Sequence, residues 1–143
     1  MRLLLFLSLL LVTTVLAAQS DDDLLAIRAT LTNYLDGATN NDYDQLASAF
    51  HPDARMQGIT EDGLMNVNAR EFFREIMQPG PPVNRVTRIS GIDITGNLAS
   101  ARLEMDYPAF RFVDMMTLLK VDGDWLIVSK AYYREPREVE SLK

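Results

Sequence analysis

With 143 residues, no cysteine and a single histidine, the chain excludes disulfide scaffolds, thiolate metal sites and multi-histidine metal clusters. Its 20 acidic and 14 basic residues give a formal charge of -6, without the basic footprint that nucleic acid requires. Neither a metal nor any other cofactor is expected from this composition.

Residues 1–18 read as a secretory signal peptide. Arg2 supplies the positive start, Leu3–Leu11 is an apolar run broken only by Ser8, and small residues place cleavage after Ala17 or Ala18. The apolar stretch is shorter than the ~20 residues of a spanning helix. Without a cysteine to carry a lipid, the protein is expected to be exported to the periplasm or the medium. No stable membrane insertion is expected after the leader is removed. About 125 residues then remain, the size of one domain: residues 19–137, followed by a charged tail at 138–143.

Asp21-Asp22-Asp23 suits the start of a helix, where carboxylates meet unpaired N–H groups. Leu24, Ile27, Leu31, Tyr34 or Leu35, and Ala38 follow at helical spacing, until Asn40-Asn41-Asp42 interrupts. A short second helix is predicted from about Asp42 to Phe50, stopped by His51-Pro52-Asp53. Arg55 to Asn68 reads as two extended pieces around Asp62-Gly63. Asn68 or Ala69 opens a third helix carrying Phe72, Phe73, Ile76 and Met77, which Gln78-Pro79-Gly80-Pro81-Pro82 ends.

From Val83 the period changes to two. Strands are predicted at Arg85–Thr95, Leu98–Tyr107, Phe110–Val121 and Trp125–Tyr133, with a hairpin at Asp122-Gly123. Helices first and antiparallel strands after make an α+β domain.

Asp114 shares its parity with Phe112 and Met116, where a carboxylate is costly unless paired or hydrated. The opposite parity, Val113, Met115, Thr117 and Leu119, is also apolar. Periodicity therefore leaves the inner face open, and it points to helices on one face and a second subunit on the other, a homodimer through the sheet. His51 is the one side chain whose ordinary pKa lies near neutrality. Its place before Pro at a helix end also suits a purely structural role.

The local patterns Tyr34-Leu-Asp-Gly-Ala-Thr-Asn-Asn-Asp42, Phe50-His-Pro-Asp-Ala54, Gly58-Ile-Thr-Glu-Asp-Gly63 and Asp114-Met-Met-Thr-Leu-Leu-Lys-Val-Asp-Gly-Asp-Trp125 resemble the nuclear transport factor 2 superfamily. Within it they look like the putative lumazine-binding branch. The resemblance implies three N-terminal helices on a curved, mostly antiparallel sheet of four to six strands, a cone-shaped, cystatin-like roll around an apolar cavity. The implied pocket walls are Leu31, Tyr34, Phe50, Phe72, Leu103, Met105, Tyr107, Phe112, Met116 and Tyr133, with Asp114 among them. The implied partner is a small apolar or heterocyclic ligand.

Ketosteroid isomerase belongs to the same superfamily. In that enzyme a first-helix Tyr and a strand Asp donate hydrogen bonds to an oxyanion. By resemblance Tyr34 and Asp114 fall at those positions, whereas the general base falls at Gly58, which can take no proton. Losing a general base forfeits ~10²–10⁴ in rate, so the isomerase reaction is disfavoured and the binding reading gains. Two alternatives stand beside an exported small-molecule-binding domain. One is an enzyme of the same fold, an isomerase, dehydratase or hydrolase-like catalyst, using Asp114 and Tyr34 with His51 as substitute base. The other is a dimeric interaction module with a vestigial pocket.

Overall fold

The computed structural model describes residues 2–137, and side chains over residues 21–137. Helix α1 (Arg2–Asn40) leads into α2 (Tyr43–Ser48), then β1 (Phe50–Thr60), β2 (Gly63–Asn68) and α3 (Ala69–Ile76). Four long strands close the chain: β3 (Val86–Thr95), β4 (Leu98–Asp106), β5 (Phe110–Val121) and β6 (Asp124–Pro136).

All six strands form one sheet in the order β2-β1-β6-β5-β4-β3. Four of its five ladders are antiparallel and the β1–β6 ladder is parallel, so the sheet is mixed. This topology corrects the expected cone-shaped, cystatin-like roll. The sheet is open, because no ladder joins β2 to β3 and each keeps an unpaired edge. Sequence patterning identifies strands but not the pairings at the ends of a sheet, and those decide closure.

Local chemistry explains most boundaries. Asn41 takes a left-handed conformation (φ 57°) after α1, and the Asp42 carboxylate then accepts the Gln45 N–H at 2.9 Å to start α2. Asn68 caps α3 in the same way, accepting from Glu71 N at 3.1 Å. In the β5–β6 hairpin, Asp122 and Gly123 both have positive φ (51° and 94°), as a two-residue turn matched to strand twist demands. Helix α2 ends before Phe50, so His51 lies in β1 and not at a helix terminus, which removes the capping role expected for it.

The acidic run at Asp21–Asp23 does not begin a helix, since α1 passes straight through it. Asp23 instead accepts from Lys120 Nζ at 2.7 Å and Trp125 Nε1 at 2.9 Å, tying α1 to the β5–β6 hairpin. Ile27, Leu31 and Leu35 then press onto the sheet and are almost fully buried. Burying each such side chain contributes about 1.5–3 kcal/mol.

Packing settles the parity of β5. Asp114, Met116 and Leu118 face the helices and are buried, while Met115 and Leu119 are exposed on the outer face. Across β4 the inward set is Ala99, Ala101, Leu103 and Met105, and Arg102 and Glu104 turn outward into ion pairs that include Arg88 and Arg111.

Candidate functional site

The inner face of the sheet and the two longer helices enclose a hollow of about 230 Å³. Tyr34 and Ala38 reach it from α1, and Phe72, Phe73 and Ile76 from α3. Met56 of β1, Met105 of β4, Phe112 of β5 and Tyr132 of β6 supply the sheet side, with Tyr107 and Arg85 at neighbouring loop positions. The one further wall residue is Lys130, on β6.

Three polar side chains meet at this wall, two of them lining it and the third directly behind. Tyr34 Oη donates to Asp114 Oδ2 at 2.8 Å. Lys130 Nζ lies 2.6 Å from Asp114 Oδ1, a tight ion pair between side chains that are almost wholly buried. That approach is off the direction of a hydrogen bond, so Oδ1 accepts no well-directed one. The ammonium also sits 5.7 Å from the ring centre of Tyr34 and 5.1 Å from that of Tyr132, within reach of cation–π attraction.

Burial governs the titration of this group. It raises the Tyr34 phenol well above its ordinary value, with the Asp114 charge and hydrogen bond adding to the shift, so the phenol stays a donor. Burial also pulls the Lys130 ammonium below the usual lysine range. Asp114 opposes that pull, and the positive charge of Arg85 reinforces it.

Arg85 is held by three bonds: Nε to Thr39 Oγ1 at 2.9 Å, Nη1 to Tyr107 Oη at 2.7 Å and Nη2 to the Leu35 carbonyl at 2.9 Å. Among the described residues no carboxylate pairs with it. The pairing of Lys130 with Asp114 cancels one positive charge, which leaves the hollow with the single positive charge of Arg85.

The structure sorts the residues expected at the pocket. Tyr34, Phe72, Met105, Tyr107 and Phe112 line the hollow. Asp114 lies directly behind the wall, in contact with two lining side chains. Leu31, Phe50, Leu103 and Met116 are buried core residues that do not reach the hollow. Tyr133 points outward with 63% exposure, and Tyr132 takes the inner place. His51 is not a wall residue either. Its Nδ1 accepts from the Asp53 N–H at 3.2 Å in the early part of β1.

A bulge causes the exchange of Tyr132 for Tyr133. Thr117 pairs with Ser129 and Leu118 with Ile127, which leaves Val128 unmatched. Trp125 and Ile127 face inward before it, Lys130 and Tyr132 after it. Strict alternation from Trp125 would have sent Lys130 to the outer face.

A family model described as putative lumazine-binding matches residues 22–133. The chain belongs to this family. Among solved structures, an NTF2-like protein of unknown function from Shewanella baltica OS155 is 34% identical, with a TM-score of 0.74, over 81% of this chain and 96% of its own. Another NTF2-like protein of unknown function, from Methylobacillus flagellatus KT, is 33% identical, with a TM-score of 0.71, over 80% and 93%. A curated relative from Cladobotryum sp, the aldolase FrzH, is 23% identical over 115 residues, covering 78% of this chain and 91% of its own.

In this putative lumazine-binding protein, Gly58 is where a Cβ would lie 2.5 Å from the Tyr132 ring. The glycine thus makes room for the aromatic wall at the position where the resemblance to ketosteroid isomerase would place a base. Tyr34 and Asp114 also hold each other here, with the phenol donating to the carboxylate. Two features of the site went unnoticed in the sequence. Lys130 is the sole charge within Trp125–Tyr133, and Arg85 precedes β3 as one of many surface-like arginines. The first carried a legible signal, an isolated cation in an apolar run; the second carried none. Among the described residues no group of three or more His, Cys, Asp or Glu could hold a metal, and no helix is long and apolar enough to cross a membrane.

Proposed function

We propose that the chain is an exported small-molecule-binding domain. Its hollow would receive a small, mainly apolar molecule that carries a carbonyl or carboxylate oxygen. The observation that carries this reading is the Tyr34–Asp114–Lys130 group, buried at the mostly apolar wall of the hollow. An ion pair in such surroundings contributes little net stability compared with apolar side chains of similar size. Convergent polar groups in an apolar hollow are instead what fixes the orientation of a ligand.

Several features narrow the ligand class. The hollow is smaller than the ~300–1,000 Å³ common for drug-sized ligands, which favours a small molecule or one that projects through the mouth. The uncancelled charge of Arg85 favours an anionic group. The family's description suggests a carbonyl-bearing heterocycle, and the relative described as an aldolase suggests carbonyl chemistry. Export rests on the leader pattern of Met1–Ala18. Self-association through the outer face belongs to the same proposal, supported by the exposure of Met115, Leu119 and Tyr133 there.

Native mass spectrometry of protein purified from its own host tests the reading. A co-purifying small molecule is expected, lost on Lys130→Met or Asp114→Asn in variants that remain folded by circular dichroism. Recovery of the wild-type chain without any bound molecule, and without thermal stabilisation by small oxo acids, carboxylates or pterins, would sink it.

A further inference from the structure

We infer that Lys130 is a covalent amine, condensing with the carbonyl of a small oxo acid to form an imine. This inference rests on the binding reading and deepens it.

A binding pocket needs a donor but not a buried amine, and a lysine is an expensive way to supply one. Only three lysines occur in the chain. Lys120 is bound to Asp23, and Lys143 lies outside the described residues. Lys130 alone is a wall residue of the hollow, with its Nζ against Asp114 and near the rings of Tyr34 and Tyr132, themselves wall residues. The geometry gives this carboxylate two separate duties. Tyr34 fixes Oδ2, and Oδ1 lies 2.6 Å from Nζ without a directed hydrogen bond of its own. At that separation Oδ1 is the nearest acceptor for a proton from the ammonium, once a small turn of the side chain directs the N–H at it.

The step balances. Lys130 passes one proton to Asp114 and attacks the carbonyl carbon through its lone pair, forming the N–C bond. A proton moves from nitrogen to oxygen, giving a carbinolamine. Protonated Asp114 then delivers its proton to that hydroxyl, the C–O bond breaks and water leaves. The product is an iminium cation beside a regenerated carboxylate. One positive charge stands on the nitrogen before and after, so the attraction to Asp114 and to the faces of Tyr34 and Tyr132 in the starting ammonium is restored in the iminium product. The depressed affinity of Lys130 for its proton acts in the same direction, because only the neutral amine is a nucleophile.

Arg85 supplies the second half of the recognition. A guanidinium has five N–H donors, and three of those on Arg85 are used by Thr39, Tyr107 and Leu35. Two remain for a carboxylate, on a group already fixed in place. Carbonyl and carboxylate on one short carbon chain match Lys130 and Arg85, with Phe72, Ile76 and Met105 against the remainder.

The test incubates the full-length protein with glyoxylate and sodium cyanoborohydride, followed by intact mass and peptide mapping. One carboxymethyl group is expected at Lys130, added faster than at Lys120, whose ammonium is held in an ion pair by Asp23 away from the walls of the hollow. Lys130→Met abolishes it, and the companion Lys130→Met/Asp114→Leu, in which no carboxylate is stranded, also stays unlabelled while folded. Propanal, which lacks the carboxylate, labels more slowly, and Arg85→Met erases the preference for glyoxylate. Equal labelling of Lys120 and Lys130 overturns the imine. Thermal stabilisation by butyrate, with no trapping by either aldehyde, also overturns the imine and leaves the binding reading standing. No stabilisation and no trapping removes both.

Discussion

Breaking the buried pair by Lys130→Met is the most informative perturbation of stability. Asp114 has no exposed surface and Lys130 is only 4% exposed, so solvent cannot replace the lost cation. Tyr34 would still donate to Oδ2, but Oδ1 would keep no partner at all. Removing one member of such a pair costs about 3–5 kcal/mol, against about 0.2–1 kcal/mol for an exposed pair. For a domain of this size, roughly 3–4 °C of melting temperature goes with each kcal/mol, so a fall of about 10–20 °C is expected. Lys130→Met/Asp114→Leu removes both charges and should recover all but about 1–2 kcal/mol, because packed apolar groups replace a buried ion pair at little cost. The assay is equilibrium urea denaturation at pH 7, completed as a double-mutant cycle with Asp114→Leu. A single-variant loss below about 1 kcal/mol, or additive losses in the double variant, would show that the pair is effectively solvated and the hollow wet.

Three further outcomes are expected. Between the lowered value of Lys130 in the fold and ~10.4, the unfolded chain binds more protons at this residue, so its contribution makes stability rise with pH. Above about 10 the unfolded phenol of Tyr34 ionises while the buried one does not, and stability falls; thermal melts at stepped alkaline pH should show a fall that Tyr34→Phe removes. Gly58→Ala places a methyl 2.5 Å from the Tyr132 ring and should cost about 1–3 kcal/mol in urea denaturation while reducing glyoxylate labelling at Lys130, as the ring moves. The Asp23 carboxylate is held below its ordinary value by its bonds to Lys120 and Trp125, so its contribution is present above pH 3.8 and is lost as the pH falls through its folded value. Asp23→Asn should therefore lower the melting temperature at neutral pH and flatten its dependence on acid.

Much of the fold was legible because its signals are local. Asp42 and Asn68 cap helices as acceptors of nearby N–H groups, and Asp122-Gly123 turns a hairpin because both residues tolerate positive φ. The α+β order follows directly from the change in hydrophobic period. Sheet closure was not legible, because a ladder between β2 and β3 would be a non-local pairing that neither strand encodes by itself. Nor was the inner parity of β5, where both sets of side chains are apolar and packing against α1 decides. The exchange of Tyr133 for Tyr132 has a similar origin. One unmatched residue at Val128 reverses every later side chain of β6, and nothing in Ile127-Val-Ser129 announces it.

That unmatched residue links the fold to the chemistry proposed for it. Were Val128 instead paired in strict alternation from Trp125, Lys130 would lie on the outer face, where Arg102, Glu104 and Arg111 already form ion pairs, and Asp114 would have Tyr34 as its only partner. With Val128 unmatched, cation, carboxylate and phenol converge on one wall although they come from β6, β5 and α1. An accidental bulge would bring a lysine inward with no acceptor waiting for it, at a cost of several kcal/mol. Here the acceptor is already inward on the neighbouring strand, held by a phenol from the helix above, and two aromatic rings flank the ammonium. Deleting Val128 should give an unbroken ladder with Thr117 still opposite Ser129 and Leu118 opposite Ile127, so Lys130 and Tyr132 stay inward and selective labelling by glyoxylate persists. A deletion variant that folds and no longer labels selectively at Lys130 would show that this register does not place the amine.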